Sequence, residues 1–242
     1  MLQKNRHHKR NYNVTENILQ EYQKYALQNA HDILIDAKYL LEKKRYSRAY
    51  FLACSAIEET GKAYISFSAQ GRNLNNQGIH EILKKSLENH THKLVSAFFC
   101  WVRMSSDPKE SIKGFLDIGR HLERGREKSM YVDINDDNSI TLPSDIVRPI
   151  AAEDCIKIAE NCYTTTKAYT STNEPDKFTS FHNKLFCLKN EKMKTLFNAA
   201  NFWEYLLAQV EKDGQNIDFA KCIVTYHDLF MGKGKEYKEK NS

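Results

Sequence analysis

The sequence predicts an all-α protein, a helical bundle with a short extended or hairpin insertion near 130–143 and a helical C-terminal extension. Three observations favour this fold class. The 242 residues include only nine Gly and four Pro, so residues that end helices and form turns are few. Apolar residues recur at helical spacing over long stretches. Thirteen Tyr and twelve Phe supply large side chains for a core.

The first helix is predicted to run from about Asn13 to Leu41. Asn13 and Glu16 have the spacing of a capping box, which satisfies free backbone N–H groups at a helix start. Apolar residues then repeat with the helical period and form one long stripe. This stripe consists of Ile18, Tyr22, Tyr25, Ala26, Ala30, Ile33, Ala37, Leu40 and Leu41.

Four more helices are predicted before residue 173, and the first, second, third and fifth helices are predicted to form the bundle. The second covers about 47–68 and the third about 79–104. The fourth covers about 108–128 and begins with aspartate followed by proline, a typical helix start. The segment SMYVDINDDNSITLP alternates apolar and polar residues around an Asn/Asp turn, which predicts the extended segment or hairpin. The fifth helix covers about 149–170.

These elements divide the chain into four predicted regions. A flexible N-terminus covers 1–12, a helical domain 13–172, a helical extension 173–231 and a disordered, charged tail 232–242.

The composition excludes several functional classes. A net charge of +5 permits contact with RNA, DNA or acidic lipid but requires none of them. The six Cys show neither a CxxC pair nor zinc-finger spacing, which predicts a cytoplasmic protein without disulfides or structural zinc. No apolar run approaches the ~20 residues of a membrane-spanning helix. Nucleotide-binding glycine loops, GxSxG and HExxH are absent, so we expect neither cofactor nor metal.

The segment AYFLACSAIEETGKAY at 49–64 places three charged residues in an otherwise apolar helix. Glu58 and Lys62 are four residues apart, and Glu59 and Lys62 are three apart, so both pairs can meet on a helix surface. Two adjacent carboxylates are costly to bury without partners. The turn is therefore either a surface ion-pair cluster or the support of a polar site between helices.

A second polar cluster, NHTHK, is predicted to lie in the middle of the third helix. His90 and Lys93 are three apart and face one direction, whereas His92 points about 200° away from His90. Histidine is the side chain best suited to acid–base chemistry near neutral pH. The alternative is a histidine that makes only a structural hydrogen bond.

A third cluster occurs in RHLERGREKSMYVD. Arg120, Arg124 and Lys128 share one helical face, and Arg126 lies off it. This pattern is typical of a solvated helix C-terminus, where cations complement the helix dipole, or of a phosphate-binding edge. Tyr131 follows at the helix exit, where its ring is able to stack on a base or its hydroxyl to bind a phosphate.

Taken in this order, the Glu-Glu-x-Gly-Lys-Ala helix, His90-x-x-Lys93 and Tyr131-Val132-Asp133 resemble the AbiV family of abortive-infection proteins, within the HEPN superfamily. The resemblance covers about residues 14–170. It implies an α-helical domain, a role in bacterial antiphage defence and a homodimer. Many HEPN proteins are metal-independent ribonucleases, which implies RNA as the substrate.

One departure from the superfamily concerns its usual signature, an arginine followed four to six residues later by histidine. Arg120, Arg124 and Arg126 have no histidine at that distance downstream. Tyr131 and Asp133 stand near the position where such a histidine falls. Whether the protein is an enzyme therefore stays open at the level of sequence.

The ribonuclease hypothesis assigns a role to each cluster. Metal-free RNA cleavage needs a base, an acid and cations that stabilise the charge on phosphorus. The candidate catalytic residues are His90, Arg124, Arg126 and Tyr131. The candidate RNA-binding residues are Lys93, Arg120 and Lys128. The candidate supporting residues are Glu58, Glu59, Lys62 and Asp133. The alternative hypothesis is a non-catalytic HEPN-like module that binds a phage factor or a host factor of the translation machinery and inhibits by occupancy.

Overall fold

The structure, a computed structural model, describes residues 12–104, 125–188, 190–213 and 217–233. It confirms the all-α fold. The helices of the first half are α1 (Glu16–Glu42), α2 (Tyr46–Ala69), α3 (Gln77–Glu88) and α4 (His90–Met104). They are followed by the short helix α5 (Pro143–Ile146) and the long helix α6 (Pro149–Thr172). The predicted fourth helix lies outside the described residues except for 125–128, which are helical.

The insertion near 130–143 was predicted to be an extended segment or a hairpin, and it is a hairpin. Strands β1 (Asp133–Ile134) and β2 (Ile140–Thr141) pair antiparallel, with Asp133 opposite Thr141. Asn138 in the connecting turn has a positive φ of 65°, a conformation that asparagine adopts more readily than most residues. In the described part of the chain, strands occur in this hairpin alone.

The C-terminal extension is helical, as predicted. Its elements are α7 (Ser180–Phe186), α8 (Asn190–Phe197), α9 (Ala200–Asp213), α10 (Phe219–Tyr226) and a π-helical turn (His227–Met231). The described helices contain no stretch with the length and hydropathy of a transmembrane span. The predicted N-terminal region lies outside the described residues up to position 11, and the predicted tail lies outside them from 234 onward.

The described residues form two compact units. The first comprises 12–70, 83–104 and 125–175, and the second comprises 71–82, 176–188, 190–213 and 217–233. The predicted division of the chain at 172 and 173 remains a prediction.

Helix α2 lies at the centre of the first unit and packs against α1, α4 and α6. Its buried face carries small residues such as Ala49, Ala53 and Ala56, which allow neighbouring helices to approach closely. Larger side chains fill the space between the helices, among them Ile57 from α2 and Phe98 from α4. Because α2 is covered on three sides, a charged group on its inner faces is costly to leave without a partner inside the unit.

The second unit has its own small core of aromatic residues. Phe202, Tyr205 and Tyr226 contact one another with ring centroids 5.3 Å apart in two pairs, Phe202–Tyr226 and Tyr205–Tyr226. In the same unit the guanidinium of Arg72 lies 4.0 Å from the ring centroid of Phe178 and 3.8 Å from that of Phe186. Aromatic and cation–π contacts therefore support this unit.

Three details of the helix predictions are wrong. The N-cap of α1 is Thr15, whose side chain accepts a hydrogen bond from Ile18 N, so Asn13 does not begin the helix. The start of the predicted apolar stripe is displaced, because Ile18 is 41% exposed while its neighbour Leu19 is buried. The predicted third helix is two helices, with Asn89 between them. At that break the Asn89 side chain accepts a hydrogen bond from His92 N at 2.9 Å and caps α4.

Candidate functional site

A buried carboxylate collects three of the predicted polar residues. Glu58 is 4% exposed, and its Oε2 lies 2.8 Å from His90 Nδ1 and 2.7 Å from Lys93 Nζ. Its other oxygen, Oε1, lies 3.0 Å from Arg126 Nε, a close ion pair. We call these four residues the Glu58 cluster. The cluster brings together residues from all three polar segments of the sequence around one carboxylate.

Gly61 explains how α2 and α4 approach closely enough to form the cluster. A Cβ atom built on Gly61 lies 1.8 Å from the backbone oxygen of Lys93, far closer than a non-bonded carbon and oxygen approach. The first turn of α4 therefore rests directly on α2. Glu58 precedes Gly61 by three residues, which places it on the same side of the helix. Its carboxylate thus faces His90 and Lys93.

The helix break at Asn89 places both cluster residues of α4 in its first turn. The prediction that NHTHK lies in the middle of a helix is therefore wrong, because α3 ends at Glu88 and the Asn89 side chain caps the start of α4. His92 takes no part in the cluster. Its Nδ1 lies 3.3 Å from Ser86 Oγ instead. The predicted divergence of His90 and His92 is thus present in the structure.

The turn at 125–129 supplies the last member of the cluster. The guanidinium of Arg126 lies 5.4 Å from the ring centroid of Phe51 on α2. Ser129 Oγ, which is buried, donates a hydrogen bond to Arg126 O at 2.5 Å. These contacts fix the backbone and the stem of Arg126. Its Nε faces Glu58, and no hydrogen bond of its two terminal nitrogens occurs within the described residues.

Electrostatics keep Glu58 ionised in spite of its burial. Burial by itself raises the pKa of this carboxyl group, but hydrogen bonds from Lys93 and His90 and the charges of Lys93 and Arg126 lower it further than burial raises it. The net result is a pKa below the usual value. One carboxylate then faces two cationic side chains, those of Lys93 and Arg126. The cluster therefore carries a net positive charge even when His90 is neutral, which favours an anionic ligand.

Accessibility separates the roles of these residues. The Lys93 side chain is 6% exposed and that of Arg126 is 22% exposed, whereas that of His90 is 56% exposed. A ligand that approaches from solvent therefore meets the His90 ring first. Lys93 holds the carboxylate from within.

Glu59 and Lys62 form an ion pair of their own on α2. Burial lowers the pKa of the Lys62 ammonium group, but the hydrogen bond to Glu59 and the charges of Glu59 and Glu58 together outweigh burial, so the net pKa is raised. Neither side chain contacts His90 or Arg126 among the described residues. Of the two adjacent carboxylates, Glu58 turns into the cluster and Glu59 pairs locally.

Of the remaining predicted site residues, those that the structure describes form no hydrogen bond or ion pair with the cluster. Lys128, Tyr131 and Asp133 are exposed, and Tyr131 has 65% of its surface in solvent. Asp133 accepts a hydrogen bond from Ile134 N at 2.9 Å, so it shapes its own hairpin. Arg120 and Arg124 lie outside the described residues.

Two contributors were not singled out from the sequence, Gly61 and Phe51. Gly61 had a usable signal, because a glycine inside a long helix commonly marks a close approach of another backbone. Phe51 had none, since an aromatic residue in an apolar helix is ordinarily part of the core. Within the described residues there is no group of three or more His, Cys, Asp or Glu side chains arranged to hold a metal ion.

Comparison with known families identifies the class of protein as a HEPN protein. The HEPN family model described as AbiV matches residues 18–164, more than half of the chain. The protein belongs to the AbiV family of HEPN proteins. The matched region contains every member of the Glu58 cluster. No curated protein and no solved structure matches the chain. The family supports the assignment of an abortive-infection HEPN protein.

Proposed function

We propose that the protein is an abortive-infection toxin that cleaves RNA without a metal ion. The observation that carries this proposal is the exposed imidazole of His90, which stands on an ionised buried carboxylate beside the guanidinium of Arg126. An imidazole moves protons near neutral pH, and a guanidinium binds phosphate oxygens. The two groups needed at a scissile phosphate therefore lie together.

The reaction is an attack of the ribose 2′-OH on the adjacent phosphorus. His90 removes the 2′-OH proton while the 2′-oxygen forms its bond to phosphorus. The bond from phosphorus to the 5′-oxygen breaks, and this oxygen takes a proton from water, while the proton held by His90 neutralises the hydroxide that remains. The products are a 2′,3′-cyclic phosphate and a 5′-OH end. The terminal nitrogens of Arg126 stabilise the added negative charge on the phosphoryl oxygens.

The burial of Lys93 changes its predicted part in this reaction. Its ammonium group lies 2.7 Å from Glu58 and is hidden from solvent, so it supports the site rather than binding RNA. Tyr131 and Lys128 keep their proposed roles outside the cluster. Both are exposed, and an exposed tyrosine ring provides a surface for base stacking.

A homodimer in the cytoplasm completes the proposal, and light scattering on the purified chain tests the dimer.

A matched pair of histidine variants tests the nuclease. Purified wild type, His90→Gln and His92→Gln are incubated in EDTA with single-stranded RNA and with its all-deoxy counterpart. We expect wild type and His92→Gln to give 2′,3′-cyclic ends on RNA alone. His90→Gln is expected to lose about 10²-fold or more in rate, the usual contribution of a general acid–base group. Equal rates for folded wild type and His90→Gln overturn the assignment.

A second candidate function is a binding module without catalysis. It is favoured by the ion pairs of Lys93 Nζ and Arg126 Nε with Glu58, because the same ion pairs also serve to hold neighbouring helices together. In this case purified protein leaves RNA intact in EDTA. A toxic effect that survives His90→Gln, together with a phage or translation factor that co-purifies with the chain, supports this function and refutes the nuclease.

A further inference from the structure

We propose that Glu58 is a positioning residue that holds neutral His90 as the tautomer protonated on Nδ1, which makes Nε2 the ring nitrogen that exchanges protons with a ligand. The tautomer is a property of the folded protein. Its consequence for cleavage rests on the proposed function. Nothing in the family assignment specifies which nitrogen of this ring carries the proton.

The distance between the two groups determines where the proton lies. His90 Nδ1 and Glu58 Oε2 are 2.8 Å apart, within the range of a hydrogen bond between a nitrogen and a charged oxygen. Two lone pairs repel at this distance, so one of the atoms carries a hydrogen. Glu58 is ionised and offers acceptors only. The hydrogen is therefore on His90 Nδ1.

The alternative donor to Nδ1 is Lys93, which is less well placed. Its Nζ lies 3.4 Å from His90 Nδ1 but 2.7 Å from Glu58 Oε2, so the ammonium group is engaged by the carboxylate. Among the described residues, Glu58 from α2 and Lys93 from α4 are the charged groups within reach of His90 Nδ1, and Arg126 from the helical turn 125–128 faces the same carboxylate. Glu58 alone of these is an acceptor.

The fixed tautomer has a direct chemical consequence. A neutral imidazole has one nitrogen that donates and one that accepts. Because Nδ1 donates to the buried carboxylate, the lone pair belongs to Nε2. Within the described residues, Nε2 makes no hydrogen bond. After Nε2 takes a proton, Glu58 faces an imidazolium and stabilises it. Glu58 therefore acts through His90 and does not touch the ligand.

Nitrogen NMR measures the tautomer without reference to RNA. The full chain is labelled with ¹⁵N-histidine, and long-range ¹H–¹⁵N spectra are recorded at about pH 9, well above the usual pKa of histidine. His90→Gln identifies the His90 signals. Lys93→Met serves as the matched control, because it keeps Glu58 and His90. The test variant is the double change Glu58→Met and Lys93→Met, since Glu58→Met alone leaves a buried ammonium group unpaired.

We expect the Nδ1–H tautomer to be the major form in wild type and in Lys93→Met. In the double variant we expect the Nε2–H form to become the major one, because the acceptor for Nδ1–H is lost. A wild-type spectrum with Nε2–H as the major form overturns the proposal and requires no variant. Unchanged Nδ1–H in the double variant also overturns it.

The cleavage assay keeps this proposal separate from the proposed function. If wild type has the Nδ1–H tautomer but leaves RNA intact, the nuclease is refuted and the positioning role of Glu58 stands. If wild type cleaves RNA, the double variant is expected to lose about 10²-fold or more in rate, since a base in the wrong tautomer has no lone pair at the substrate. Full cleavage by a double variant in the Nε2–H form refutes the positioning role.

Discussion

Replacement of Gly61 by alanine is predicted to destabilise the protein, although glycine to alanine inside a helix ordinarily stabilises by about 1 kcal/mol. The new Cβ lies 1.8 Å from Lys93 O. An ordinary carbon–oxygen contact is about 3.3 Å, so the first turn of α4 has to retreat by ~1.5 Å. A retreat of this size lengthens the 2.8 Å and 2.7 Å contacts from Glu58 to His90 and Lys93 beyond hydrogen-bond range.

The magnitude follows from three terms. Overpacking costs about 1–3 kcal/mol, and a buried charge that loses its partner costs ~3–5 kcal/mol. The gain in helix propensity offsets about 1 kcal/mol of this cost. We therefore expect the free energy of unfolding to fall by about 3 kcal/mol or more. For a chain of this size that corresponds to a decrease in Tm of at least ~6 °C.

The assay compares Gly61→Ala with Gly78→Ala in thermal and urea unfolding of the full chain. Gly78 is a suitable control because it also lies in a helix, and its Cβ meets only side-chain atoms, Asn76 Oδ1 at 3.2 Å and Cys187 Sγ at 3.4 Å. Cys187 Sγ is able to rotate away, and a shift of a few tenths of an ångström relieves the contact with Asn76 Oδ1, which keeps its hydrogen bond from Gly78 N, so we expect an effect within about 1 kcal/mol. Equal stabilities of the two variants, with unchanged His90 NMR signals, refute the close approach of α4 to α2.

Three further predictions concern the cluster, the first helix and the core. Glu58→Gln is expected to lower stability by about 3–5 kcal/mol at pH 7. Because the folded pKa of Glu58 is lowered, its contribution is lost as pH falls below the usual value of 4.5, so wild type and variant converge in acid unfolding curves. Thr15→Ala is expected to cost ~1 kcal/mol in urea unfolding and Asn13→Ala almost nothing, whereas equal costs contradict the observed cap. Phe98→Ala is expected to cost about 3–5 kcal/mol, and Val95→Ala on the exposed face of the same helix less than ~1 kcal/mol.

The α-helical fold was predictable because helices depend on nearby residues. The spacing of apolar residues over one helix is enough to indicate α2 and α6, whose predicted ends differ from the observed ones by at most two residues. Helix ends were harder. Asn13 and Thr15 are both able to cap a helix, and the choice depends on which residues of α1 pack against its neighbours. Asn89 was read as a helix interior residue, although its side chain is suited to a cap.

The site was predictable only in part, because its partners are distant in sequence. The apolar surroundings of Glu58 and Glu59 indicated that these carboxylates need partners. Local spacing suggested Lys62, and this is correct for Glu59. The partners of Glu58 lie 32 residues or more further along the chain. His90 and Lys93 are on α4, whose approach depends on Gly61, and Arg126 follows beyond α4. No helical spacing rule specifies such a contact.

The energetics of buried charge favour a site over a simple brace between α2 and α4. A buried ion pair contributes little more to stability than apolar side chains of the same volume, because both charges lose their hydration. A helix contact built from alanine and leucine, as elsewhere in this core, would hold α4 without that cost. Glu58 and Lys93 therefore need a reason beyond packing. The exposed His90 ring, which a carboxylate orients and an apolar residue does not, supplies that reason.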